Sequence, residues 1–133
     1  MQNSALTLAG LALLALAGCG PKQEAAAGRD HTVRGQVRQL PDPATPGSGL
    51  WLVHEAVDDW AGRDGKVEGM DSMSMPFEVA KGTPLEGIEV NDVIEFTLHV
   101  DWNAETPVEI TRVKELPPGT KLDFREARPP REP

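Results

Sequence analysis

Three thioethers stand close together at Met70, Met73 and Met75, in the segment Met70-Asp71-Ser72-Met73-Ser74-Met75-Pro76-Phe77. The chain has four methionines and the fourth is Met1, so a protein processed at its N-terminus would carry all of its methionine here. Methionine that fills irregular core gaps is scattered among apolar segments; this methionine is clustered. Thioether sulfur is a soft, uncharged donor that favours Cu(I) among the biological metals, and the still softer Ag(I) should follow.

Strand alternation adds a nitrogen donor to the sulfurs. Read as a strand, Met73 to Val79 puts Met73, Met75, Phe77 and Val79 on one face and Ser74, Pro76 and Glu78 on the other. In the run Leu50 to Val57, Leu50, Leu52, His54 and Ala56 share one face, and Trp51, Val53, Glu55 and Val57 share the other. If the two runs pair as neighbours, one imidazole and two thioethers converge near one end of the domain. Such a set suits Cu(I) or Ag(I), which accept two to four soft ligands. It suits zinc poorly, because structural zinc is held by thiolates, imidazoles and carboxylates. The same residues also fit plain packing, since methionine on an apolar face and a lone core histidine are both ordinary. Spacing alone leaves the two readings open.

The remaining chemistry-bearing residues point elsewhere. Trp60, in an acidic loop from Asp58 to Asp71, reads as a hydrophobic anchor, with a cation–π cap over the metal as the alternative. Trp51 and Trp102 read as packing residues, and His31 and His99 as solvent-facing. With Gly65 at the turn of a calcium loop, the preceding positions would be Trp60, Gly62 and Asp64, which is no EF-hand; the acidic loop is expected to be solvated. No Ser-His-Asp or Cys-His arrangement can be assembled, and the expectation is a protein that is not an enzyme. The processed chain also lacks the cysteine of a blue-copper site.

Five strand-like runs carry these residues: His31 to Leu40, Leu50 to Val57, Met73 to Val79, Val93 to Trp102 and Pro107 to Leu116. The fourth alternates most cleanly, with Ile94, Phe96, Leu98, Val100 and Trp102 inward. In the fifth, the apolar phase slips between Ile110 and Val113, which predicts a bulge. Gly35, on the apolar face of the first run, permits a bend or the close approach of a neighbouring strand. Pro76 marks an edge strand or a strand end, and Asn91-Asp92 is a turn signal. No long helical period and no internal repeat are present. The fold class is therefore all-β, a small five-stranded OB-type barrel, with a five-stranded sandwich as the alternative.

The chain has 133 residues, room for one domain with tails. Its formal net charge of −8 disfavours nucleic acid and anionic membrane surfaces as partners. Residues 5–18 form an uncharged apolar run too short to span a bilayer, as in a signal peptide. The run ends in Leu16-Ala17-Gly18-Cys19, which resembles the lipobox of bacterial lipoproteins, although no Lys or Arg precedes it. That resemblance implies cleavage before Cys19 and lipidation of its thiol, with Gly20 in the next position leaning toward the outer membrane. Cys19 is the sole cysteine, so no disulfide is expected. Thioethers are the apt soft donors in an oxidising compartment, where exposed thiols are consumed. The organisation expected is a signal peptide over 1–18, a flexible tether over 19–30, a β-barrel domain over 31–116 and a Pro-rich tail over 117–133, disordered at its end.

His54-Glu55, then Met70-x-x-Met73-Ser74-Met75-Pro76-Phe77, then Val90-Asn91-Asp92-Val93-Ile94-Glu95-Phe96 together resemble the CusF-like periplasmic copper/silver-binding family, over roughly Val33 to Val113. The methionine motif is the more specific part, and the turn-and-strand the weaker. The resemblance implies a five-stranded OB-type barrel that binds Cu(I) or Ag(I) through one His and two Met, here His54, Met73 and Met75. The family's best-known members place a tryptophan over the metal, at the position held here by Met70, which becomes a third thioether donor or a closure of the site. Asn91 stands where the family has Gly. The function expected is a monomeric, lipid-anchored metallochaperone or buffer of the cell envelope, handing the ion to a copper-efflux or copper-enzyme assembly protein. The alternative is an OB-type lipoprotein domain that binds a protein partner and uses its methionines for packing.

Overall fold

The structure is a computed structural model and describes residues 28–131. Cys19 and the expected signal peptide lie outside the described residues. Five strands run β1 (Arg29–Gln39), β2 (Leu50–His54), β3 (Met73–Val79), β4 (Val93–Val100) and β5 (Val108–Glu115). They close into a barrel in the order β1-β2-β3-β5-β4, with β4 pairing back onto β1. This is the OB-type order, and it removes the sandwich alternative. All neighbours are antiparallel except β3 and β5, which meet in parallel over only two pairs, Glu78 with Glu109 and Val79 with Ile110.

Period-two alternation explains the core. Val33 and Val37 of β1, Leu50 and Leu52 of β2, Phe77 of β3, Ile94, Phe96 and Leu98 of β4 and Ile110 of β5 pack together inside. Two bulges let so small a barrel curve. One leaves Arg38 without a partner between the Val37–Leu52 and Gln39–Trp51 pairs. The other leaves Thr111 over between Ile110 and Arg112, where the sequence phase slips. Gly35 faces His54 across the β1–β2 ladder, and a Cβ there would lie 2.7 Å from the Val53 carbonyl oxygen. Only glycine lets the two backbones approach so closely. Asn91 takes the positive φ, 77°, that its turn requires.

Three differences from the sequence reading bear on the site, beyond β4 ending at Val100 and not at Trp102. β1 begins at Arg29, inside the expected tether, where Asp30 accepts a 2.7 Å hydrogen bond from His99 of the adjacent β4. β2 ends at His54, and beyond it alternation breaks: Val57, assigned outward, is 5% exposed and part of the core. The β2–β3 ribbon nevertheless continues outward, in the same register at a bridge between Val57 and Met70 and shifted by one residue at the next, between Ala61 and Val67. The acidic loop is thus largely a folded extension of the hairpin.

The third difference is the tail, expected to be disordered at its end, which is docked along that ribbon as far as Arg128. The Arg125 guanidinium donates to both carboxylate oxygens of Asp58, at 2.8 and 2.9 Å. Ser72 N–H donates to the Arg125 carbonyl and Arg125 N–H to Ser72 Oγ, each at 2.9 Å. Arg128 N–H donates to Asp58, and Ala127 N–H to Asp71. Composition marks a Pro- and charge-rich segment as unable to build its own core; this one borrows backbone partners from the hairpin. Gly69 makes room, since a Cβ there would meet Ala127 Cβ at 2.6 Å.

Two outcomes follow. Gly35→Ala should destabilise the barrel by about 1–3 kcal/mol, because backbone must move to admit the methyl group; an unchanged denaturation midpoint would contradict this. The Arg125 guanidinium and the Arg128 N–H hold the Asp58 carboxyl down at about 2, from 3.8. The docked tail is therefore favoured in full above about pH 4, and that contribution is lost as pH falls from there toward 2. Amide shifts of Ser72, Arg125 and Ala127 should report release over this window, ahead of the β1 and β4 amides; simultaneous change everywhere would count against a separable tail.

Candidate functional site

The β2–β3 pairing brings the expected donors together. His54 sits directly across from Met73, and Leu52 directly across from Met75. Direct cross-strand neighbours have Cβ atoms about 4.5–5.5 Å apart, and diagonal ones about 7–8 Å, within reach of long side chains. Met73 is thus the immediate neighbour of His54 and Met75 the diagonal one, all on the inward row. Burial grades along this row: His54 is fully buried, Met75 is half-buried against the core, and Met73 is 42% exposed.

Met70 lies one step further out on the same ribbon, its backbone exchanging two 2.8 Å hydrogen bonds with Val57. Strict alternation would turn Met70 to the face opposite Met73 and Met75. The break in phase between the His54–Met73 and Val57–Met70 pairs turns both Val57 and Met70 inward, and Met70 packs against the core.

The imidazole of His54 is held in one tautomer. Nδ1 is 2.7 Å from the carbonyl oxygen of Glu55, which can only accept, so Nδ1 carries the proton and Nε2 the lone pair. Nε2 is buried and has no hydrogen-bond partner. The ring packs edge-to-face with Phe77, centroids 5.6 Å apart and planes inclined by 64°, and Phe77 in turn packs on Phe96. Desolvation lowers the His54 pKa from 6.5, opposed in part by the Glu55 carbonyl. A neutral ring with a fixed Nδ1–H donor and a free Nε2 is the arrangement a metal-ligating histidine adopts.

Elsewhere the aromatic residues depart from expectation in several places. His31, read as solvent-facing, is 5% exposed, because it continues the inward row of Val33, Gly35 and Val37. Its Nδ1 lies 3.2 Å from Asp59, and its ring packs at a tilt of 38° against Trp60, centroids 5.5 Å apart. Trp60 packs against the core, and edge-on to Trp102 at 6.1 Å, as a hydrophobic anchor of the outer ribbon. Trp102 donates to the Ala61 carbonyl and carries Arg63 over its face. Trp51, read as packing, is 37% exposed, because it points outward from a single-layer barrel with nothing to cover it. His99 faces outward as expected and holds Asp30. Among the described residues, no group of three or more His, Cys, Asp or Glu is placed to share a metal ion.

The lowered pKa of His54 fixes the sign of an acid effect. The unfolded chain takes up a proton near pH 6.5, which the buried ring resists. Stability should thus be level above that pH and fall below it, down to the folded midpoint. In an NMR titration the His54 ring should titrate below 6.5; a higher midpoint would refute the buried neutral ring.

Comparisons with protein-family models, with curated proteins and with solved structures found no match.

Proposed function

We propose that the protein is a Cu(I)- or Ag(I)-binding metallochaperone or buffer of the cell envelope, with His54, Met73 and Met75 as donors and Met70 as a further thioether. The observation that carries this reading is the buried, unpartnered Nε2 of His54, with Met73 directly opposite. A nitrogen left without a hydrogen bond in the interior costs roughly 1–3 kcal/mol, and a soft cation between it and the thioether sulfurs would relieve that cost. The resemblance of the motif Met70-x-x-Met73-Ser74-Met75-Pro76-Phe77 to the CusF-like family supports the same reading.

The graded burial fits capture and release. The ion would first meet Met73, the exposed donor, and then be drawn toward Met75 and the buried imidazole; release would reverse the order, one ligand at a time. Thioethers bind without losing a proton, and desolvation already favours the neutral form of His54, so little proton release should accompany loading. The lipobox-like Leu16-Ala17-Gly18-Cys19 would tether the domain to the membrane, where a copper-efflux or copper-enzyme assembly protein would receive the ion.

An anaerobic Cu(I) titration of Pro21 to Pro133 against a competing chelator tests the reading. One equivalent should bind. Supporting residues around a metal are typically worth 10–100-fold in affinity, so the Met73→Leu/Met75→Leu double variant should lose at least about 100-fold and His54→Gln at least about 10-fold, each while still folded. A folded parent that binds nothing would return the methionines to packing and favour the partner-binding lipoprotein domain.

A further inference from the structure

The metal reading leaves unused the most heavily hydrogen-bonded feature outside the barrel. The tail touches the two arms of the β2–β3 ribbon at different places. On the arm leaving β2 it grips Asp58 with the Arg125 guanidinium and the Arg128 N–H. On the arm entering β3 it pairs with Ser72 through the Arg125 backbone and with Asp71 through the Ala127 N–H. Asp58 follows Val57, the bridge partner of Met70, while Asp71 and Ser72 are the residues between Met70 and Met73. The fastening therefore falls on the interval where the ribbon ladder is interrupted and its phase changes.

That interval has little else to fix it. The backbone of Ser72 donates to the tail and not to the β2 arm. On its far side, β3 meets β5 only at Glu78 and Val79, well beyond the methionines. A chain segment that must hold two thioethers at a set distance from a rigid imidazole is thus secured from outside the barrel.

We propose that Arg125 is a positioning residue for the metal site: the C-terminal tail is a clasp across the β2–β3 ribbon that holds Met70 and Met73 in place relative to His54. This rests on the Cu(I)/Ag(I) reading above. The planar guanidinium suits the task, because two parallel hydrogen bonds to one carboxylate fix direction as well as distance, which a lysine cannot reproduce. The lowered pKa of Asp58, caused first by the Arg125 hydrogen bonds, agrees with the same contact.

The test compares the full chain with Arg125→Ala, Arg125→Lys and Asp58→Asn, measuring Cu(I) affinity by chelator competition, backbone amide exchange and thermal midpoint. Release of the clasp should speed exchange at Ser72, leave the β1 and β4 amides protected, and weaken Cu(I) binding about tenfold, the scale typical of residues that orient metal ligands. Arg125→Lys should recover only part of the affinity. Faster exchange at Ser72 with unchanged Cu(I) affinity would overturn the inference and leave the metal site standing. A folded parent that binds no Cu(I) would remove the metal reading and the inference with it. If Arg125→Ala does not fold, Asp58→Asn, which loses the charge and one of the two acceptor oxygens, and a chain ending at Pro118, which loses the guanidinium, carry the same comparison and leave the five strands intact.

Discussion

Burying an imidazole in an all-β core is the constraint around which this barrel is arranged. Neutral histidine is polar at both nitrogens, and the interior satisfies only one of them: Glu55 accepts from Nδ1, and Nε2 has no partner. The arrangement persists because the ring is closed in from several directions. Phe77 packs steeply inclined to it, Phe96 backs Phe77, and Gly35 lets β1 come up against the backbone of His54. Each contact fixes the ring without offering Nε2 a hydrogen bond. An apolar side chain of similar size would fill the same space without the orphaned lone pair, so packing alone gives no account of a histidine here.

The seam of the barrel is uneven, and the unevenness falls where the methionines are. β1 pairs with β4 over eight consecutive residues, from Arg29 to Gln36, whereas β3 and β5 share two pairs at the far end of β3. The half of β3 that carries Met73 and Met75 is thus laddered on one side only. Pro76, which offers no N–H, lies in this same half, as an edge position allows. The imidazole is paired on both sides, across from Gly35 of β1 and Met73 of β3, whereas the thioethers of β3 are paired on one side only. On the proposed reading the site joins one fixed ligand to more adjustable ones, a combination suited to exchange of the ion rather than to its permanent retention.

Much of this was legible in the sequence, and the failures have physical causes. Strict alternation placed His54, Met73 and Met75 on inward rows, and the phase slip near Ile110 marked a real bulge. Alternation failed beyond His54, where the ribbon changes phase, and so it misplaced Val57. His31 was misread because the first strand was begun two residues late, although its position in the row of Val33, Gly35 and Val37 was the available signal. Trp51 was expected to pack because tryptophan is large and apolar; nothing in a sequence tells that a barrel has no second layer. The tail was the least legible, because its fastening relies on backbone groups and on one ion pair between residues 67 positions apart. Composition reports what a segment cannot do alone, and carries no information about the partners waiting for it.

The tail also bears on why the methionine hairpin can be long without becoming loose. The connection between β2 and β3 runs from Glu55 to Ser72, a length at which connections usually lose definite shape. Here three devices hold it: the Val57–Met70 bridge, the Trp60 anchor against His31 and Trp102, and the Arg125 clasp. The first two act toward the core and fix the ribbon's outer part. Only the third reaches the interval between Met70 and Met73, and it is the most exposed of the three, hence the most sensitive to salt and acid. A protein that only needed to stabilise its hairpin would gain more by extending the ladder through Ala56 and Asp71. With the ladder interrupted there, the arm leaving β2 and the methionine-bearing arm entering β3 are joined across the interval by the tail, a segment that belongs to neither.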